Sequence, residues 1–219
     1  MPRVKTIIDY TLTGLLVLCA LTVTGLAVNR EVKARPKSPI REQRDWKSYA
    51  KEGHRIGSPN GKAVIVEFAD FQCPACGLFE TQVAELRRRH PGDVTVVYRH
   101  FPLVAIHPFA EPAALASECA ALQGRFESMH DSLFAHRDSL ARSDWTQVAA
   151  SAGVNDLSAF KDCMSDRATA QRVASDVAAG NRLGISSTPT LLIDGKLITG
   201  VPPTDTLDAM ITHMLAARR

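Results

Sequence analysis

Ala63-Val64-Ile65-Val66-Glu67-Phe68-Ala69-Asp70-Phe71-Gln72-Cys73-Pro74-Ala75-Cys76 is the stretch whose reading decides the fold. Residues 63–69 are β-branched and almost continuously apolar, the pattern of a buried strand. Asn60-Gly61 supplies a turn before it. A short loop leads to Cys73, and from 74 to 90 the pattern turns helical, with Phe79, Val83 and Leu86 on one face. Pro91-Gly92-Asp93 stops that helix. Val94-Thr95-Val96-Val97-Tyr98 follows as a second strand. Strand, helix, strand in this order implies a parallel pair joined by a crossover helix.

A Cys-x-x-Cys placed where a strand runs into a helix has a chemical reading. The first cysteine sits at the helix N-terminus, where free backbone N–H groups and the macrodipole favour negative charge. Thiolate is the nucleophile, so this position activates Cys73. Cys76 lies one turn further in, more covered, and would resolve a mixed disulfide formed at Cys73. Half of a zinc site is the competing reading. It needs a second Cys-x-x-Cys or a histidine pair at set spacing. The chain has no second motif, and His54, His90, His100, His107, His130, His136 and His213 are scattered. No metal or other cofactor is expected. A purely structural disulfide within one helical turn is the remaining alternative.

Two further positions draw attention. Glu67 lies six residues before Cys73 on the apolar strand. It reads either as a proton acceptor for the cysteine pair, its pKa raised by burial, or as a strand glutamate on the solvent edge. Alternation does not separate the two. Thr188-Pro189 precedes the apolar run Thr190-Leu191-Leu192-Ile193. Proline at a strand start is ordinary punctuation. It is also the residue at which a cis bond would set the chain against the cysteines and offer a backbone group of Thr188 to a peptide.

Working outward, residues 108–184 read as helical. Glu111-Pro112 opens one helix; Phe126, Met129, Leu133 and Phe134 keep helical spacing on a second; Asp144 and Asp156 are N-cap candidates for two more. A longer polar helix runs to about Arg182. Asp194-Gly195 is a two-residue hairpin signal between Thr190-Leu191-Leu192-Ile193 and Lys196-Leu197-Ile198-Thr199. A last amphipathic helix turns Leu207, Met210, Ile211, Met214 and Leu215 inward. The outline is β-α-β, a helical block, then β-β-α.

The 219 residues are 45% hydrophobic and 22% charged, with a net charge of +3, the composition of a globular protein. Much of the positive excess lies before residue 48, so no nucleic-acid surface is read. Residues 1–29 read as a signal anchor or a cleaved signal peptide. The stretch 7–28 is apolar but for Asp9 and is long enough to cross a bilayer, while Gly25-Leu26-Ala27 is a passable cleavage site. Cys19 falls inside it and is assigned to lipid or helix packing. Residues 30–52, with Pro36 and Pro39, read as a charged linker, and 53–219 as the globular body. The linker's Lys and Arg would place it in the cytoplasm by the positive-inside rule. The cysteines argue for the oxidising side instead.

The segment 67–76 resembles the active-site segment of DsbA-like thioredoxin-fold proteins. Arg99-His100-Phe101-Pro102-Leu103 is similar to their next strand end. Glu118-Cys119-Ala120 through Gly124-Arg125-Phe126, and His130-Asp131-Ser132-Leu133-Phe134, resemble their helical insertion. Gly184-Ile185-Ser186-Ser187-Thr188-Pro189-Thr190 resembles their cis-proline segment. The resemblance covers about 53–219 and implies an α/β thioredoxin fold with an all-helical insertion at about 105–184. It implies Cys73, Cys76, Glu67 and cis Pro189 as the catalytic set, with Thr188, Pro74 and Ala75 against the substrate. It also implies a structural disulfide between Cys119 and Cys163, for which two free buried cysteines are the alternative. Where the best-known DsbA has a thiolate-stabilising histidine between its cysteines, this chain has Ala75. The expected activity is disulfide donation to reduced or unfolded extracytoplasmic proteins by a membrane-anchored monomer, reoxidised by a quinone-linked membrane partner. A reductase or isomerase kept reduced by a membrane partner is the alternative, as is a non-catalytic module binding copper(I) or an unfolded chain.

Overall fold

A computed structural model describes residues 19–22 and 40–217. The chain divides into Met1–Pro39 and Ile40–Arg219. In the first unit residues 19–22 are helical and Cys19 is an exposed free thiol. The rest of the apolar stretch 7–28, with the membrane helix read there, lies outside the described residues, as does the linker up to residue 39. Among the described residues no helix is long and apolar enough to cross a membrane.

The second unit is built on a six-stranded sheet in the order β1-β6-β5-β3-β4-β2. The strands are β1 (Arg41–Glu42), β2 (His54–Gly57), β3 (Ala63–Ala69), β4 (Val94–His100), β5 (Thr190–Ile193) and β6 (Lys196–Thr199). The helices are α1 (Trp46–Tyr49), α2 (Pro74–Arg89), α3 (Ala110–Ala121), α4 (Phe126–Ala135), α5 (Trp145–Ser151), α6 (Leu157–Met164), α7 (Arg167–Arg182) and α8 (Thr204–Ala216), with a 3₁₀ segment at Arg137–Arg142. Strand β3 pairs parallel with β4 and antiparallel with β5. Both faces of β3 are packed by core side chains, which is why its sequence is so uniformly apolar.

Side chains alternate across β3. Ile65 and Ala69 join the core that includes Cys76, Phe79 and Val83 of α2 and Leu207 and Ile211 of α8. Val66 and Phe68 join the core on the opposite face, with Ala179 and Leu183 of α7. Helix α7 comes unusually close there. A Cβ on Gly180 would stand 2.6 Å from the Phe101 ring, so only glycine fits. The buried Arg99–Asp176 ion pair, Nε to Oδ1 at 2.6 Å, ties α7 to β4. The β5–β6 hairpin turns through Asp194 and Gly195 at φ of 49° and 80°, as an Asp-Gly turn requires.

The folded body begins before Gly53. Arg41–Glu42 pairs with β6, and Trp46 is buried against the second core, so 40–52 belongs to the sheet unit rather than to the linker. Elements of two and four residues are too short to show periodicity among so many charges. Strand β2 likewise gave no pattern, with only Ile56 fully buried. Asp144, Asp156 and also Asp166 cap α5, α6 and α7 with side-chain oxygens that accept backbone N–H groups.

Helices α3 to α6 form a block held by a disulfide between Cys119 and Cys163, whose Cα atoms are 5.7 Å apart across a separation of 44 residues. A loop of that length is worth about 4 kcal/mol in the chain-entropy account. Cys119→Ala/Cys163→Ala is expected to unfold in urea with about that much less stability. An unchanged midpoint would contradict it.

Candidate active site around Cys73 and Cys76

Cys73 is the N-cap of α2, with extended backbone (φ −73°, ψ 123°) and Pro74 at the first helical position. Its thiol is pulled down to about 5. The largest cause is a hydrogen bond from the Cys76 thiol. Burial opposes it, and contacts from Thr188 and the backbone N–H groups of Cys76 and Ala75 add to it. Cys76 is fully buried, and burial above all pushes its thiol well up, followed by the neighbouring Cys73 sulfur and the Glu67 carboxylate. At neutral pH the pair therefore carries one proton, on Cys76, and one charge, on Cys73.

Glu67 stands between Tyr98 on β4 and Leu191 on β5. Alternation turns it with Ile65 and Ala69 toward α2, under the cysteines. It is 0% exposed, and neither carboxylate oxygen has a protein hydrogen-bond partner. Burial raises its pKa well above the ordinary range, with Glu80 and then Cys73 adding to the rise. The solvent-edge reading of Glu67 does not hold. The hydroxyl of Tyr98 is also buried and unpaired.

The Thr188–Pro189 bond is cis. The Cys73 thiol lies 3.4 Å from the Thr188 carbonyl, to which it donates when protonated. Pro189 is buried, Pro74 exposed and Ala75 half-buried, so Cys73, Thr188 and Pro74 meet at one surface. The loop before Cys73 is held by Asp70, a residue the sequence reading passed over. Its carboxylate accepts from the N–H groups of Gln72 (2.7 Å) and Leu103 (2.9 Å) and faces His107 Nδ1 at 2.7 Å. Gln72 in turn accepts from the Phe109 N–H at 2.8 Å. Glu80 and His130 also belong to this neighbourhood, although neither is marked as a site residue by the sequence. Glu80 lies seven residues after Cys73, two helical turns along the stripe that carries Cys76. That spacing was the available signal.

Among the described residues, one group of side chains has the donors for a divalent cation. His54, His100 and Glu118 bring ligand atoms within 4.8 Å of one another. They already satisfy each other. Glu118 Oε1 lies 2.7 Å and 3.0 Å from the two histidine Nε2 atoms, and Oε2 accepts from Arg172 at 3.0 Å. Burial pushes this carboxyl up, but the two histidines overcome it and hold it ionised. The cluster contains neither Cys73 nor Cys76 and ties β2, β4, α3 and α7 together.

Residues 49–213 match the thioredoxin family. The chain belongs to that family. Among curated relatives, a Na(+)/H(+) antiporter NhaA 3 of Salinispora tropica is 39% identical over 76% of this chain, and an NhaA 1 of Mycolicibacterium gilvum is 38% identical over 72%. The chain spans about a quarter of the length of these relatives. Among solved structures, a thioredoxin-like oxidoreductase of Silicibacter pomeroyi superposes with a TM-score of 0.65 at 24% identity, covering 81% of this chain and 99% of the other. BdbD of Bacillus subtilis gives 0.62 at 20%, covering 74% and 92%. The thiol-disulfide exchange protein alpha-DsbA2 of Wolbachia pipientis gives 0.62 at 21%, covering 78% and 92%. At these identities the likeness establishes the fold alone, which is thioredoxin-like.

A buried acid with a raised pKa destabilises the fold as pH rises above its unfolded value of about 4.3, because ionisation is harder in the native state. With the Cys73–Cys76 pair oxidised, so that neither sulfur titrates, Glu67→Gln is expected to match the parent in urea at pH 4. At pH 8 it should be the more stable of the two, because it has no buried carboxyl to ionise. Equal stability at both pH values would show that Glu67 is not a strained acid.

Proposed function

We propose that this protein is an extracytoplasmic thiol–disulfide oxidoreductase that donates the Cys73–Cys76 disulfide to folding secreted proteins. The observation that carries the direction is the Cys73 thiol held at about 5. A thiolate stabilised in the reduced form makes the pair a good electron acceptor, hence an oxidant. Ala75 supplies no charged donor, but the Cys76 thiol and two backbone N–H groups fill that place.

Chemically, a substrate thiolate attacks Cys73 Sγ, the Cys73–Cys76 bond breaks, and its electron pair passes to Cys76, which takes up a proton. A second substrate thiolate displaces Cys73 from the mixed disulfide. Two electrons have then moved from substrate to enzyme. One substrate proton rests on Cys76 and the other is in solvent, because Cys73 stays ionised. Thr188, beside cis Pro189, and exposed Pro74 present the substrate surface. A quinone-linked membrane protein would take the two electrons onward.

Two features support the compartment. The apolar stretch 7–28 has the length of a membrane anchor, or of a leader if cleaved. The Cys119–Cys163 disulfide is a bond that persists on the oxidising side of a membrane. Tethered there as a monomer, the domain would meet substrates as they emerge. The antiport in the names of the NhaA relatives is not carried over, because the match reaches only about a quarter of their length.

The expected potential in glutathione buffers is nearer the roughly −120 mV of DsbA than the roughly −270 mV of thioredoxin. A value at the thioredoxin end would make the protein a reductase. Cys73→Ser is expected to abolish disulfide transfer to a reduced model protein, and transfer that survives it would refute a catalytic role for the pair.

A further inference from the structure

Five buried side-chain atoms without a protein partner belong to four residues that adjoin one another: both oxygens of Glu67, the Tyr98 hydroxyl, Glu80 Oε1 and His130 Nε2. Among the described residues only two other atoms share that condition, on Gln82 and Thr188. Buried polar atoms are normally paired, so a cluster of unpaired ones needs an explanation. The polar space they share lies beside Cys76. Glu67 interacts with Cys76 and with Glu80, and Tyr98 with all three. The Tyr98 and His130 rings are 5.1 Å apart.

The space has an outlet. His130 Nε2 lies 3.5 Å from Glu80 Oε1, too long for a full hydrogen bond, and Nδ1 lies 2.9 Å from Asp131 Oδ1. Glu80, His130 and Asp131 line a cleft of about 530 Å³ between α2 and the segment 130–138. Asp131 is 66% exposed, whereas Glu67 is wholly enclosed. The charged and titratable groups around His130 are Glu80 and Arg87 from α2, Tyr98 from β4, Asp131 from its own helix, and Arg137 and Asp138 just beyond it.

The geometry points to a proton path from this cleft through His130 and Glu80 to Glu67 and Cys76, with Glu80 and His130 as positioning residues that no thiol chemistry on the surface requires. The inference rests on the thiol–disulfide reading above. When the Cys73–Cys76 bond breaks, the electron pair left on Cys76 takes its proton from the Glu67 carboxyl as Glu67 receives one through Glu80, so that the transfers run together with bond cleavage. His130 passes protons between Glu80 and the cleft. In the reverse direction the Cys76 proton leaves by the same groups. His130 is suited to that step. Burial pushes it down, but Asp131 and Glu80 raise it to about 9, so it holds a proton to pass at neutral pH.

The test is the rate at which dithiothreitol reduces the Cys73–Cys76 disulfide in the full chain, followed from pH 5 to 9 for the parent, Glu80→Gln and His130→Ala. Each variant is expected to be slower at pH 7 by about tenfold. That is less than the roughly 10²–10⁴ of a group that gives its proton to the reacting atom, because Glu67 still meets Cys76 directly. Both variants should flatten the pH profile, while iodoacetamide alkylation of reduced Cys73, which moves no proton onto or off Cys76, stays at the parent rate. Added imidazole should restore His130→Ala by entering the cleft and leave Glu80→Gln unchanged. Variants that keep the parent's rate and profile, or a His130→Ala loss that imidazole does not relieve, would overturn the path while leaving disulfide exchange intact. A parent that is not reduced at all would instead refute the exchange reading beneath it.

Discussion

Cys73, Cys76 and Glu67 share a volume too enclosed to hold more than one negative charge at neutral pH. Burial is the largest force raising both Cys76 and Glu67. Cys73 escapes because it sits at the mouth of α2, where the Cys76 thiol and two backbone N–H groups point at its sulfur. The single charge is thereby fixed on the sulfur at the helix mouth, beside exposed Pro74. The two protons kept inside are the ones that disulfide chemistry has to move.

The architecture serves this constraint. Strand β3 carries Glu67 under the helix only because β4 and β5 bury both its edges. Asp70 and Gln72 hold the loop between strand and helix against the segment 103–109, so the position of Cys73 is set by several backbone N–H groups. The helical block contributes differently. Its disulfide stiffens it, its Glu118 gathers β2, β4 and α7, and its α4 lays His130 beside Glu80. The insertion thus completes the buried polar space that the sheet and α2 begin.

Much of this was legible in the sequence because its signals were local. The boundaries of β3, β5 and β6 follow from uninterrupted apolar runs and from Asp194-Gly195. Cys73-Pro74-Ala75-Cys76 placed the start of α2, and the caps at Asp144 and Asp156 matched the rule for small acceptors. What the sequence hid depends on distant contacts. Trp46 is core only because β6 and α7 fold back over it. The face chosen by Glu67 depends on sheet register rather than on its flanking residues. Glu80 and His130 look like ordinary surface residues of two helices until the fold sets them 3.5 Å apart.

Direct titration of the thiolate decides the central claim. Absorbance near 240 nm of the reduced Cys19→Ser protein, with Cys119–Cys163 intact, reports the ionisation of Cys73 and Cys76 as pH rises. The account predicts one sulfur ionising with an apparent pKa of about 5 and a second that stays protonated well beyond the ordinary thiol range. A first thiolate appearing only near the unperturbed value of about 8.5 would contradict it.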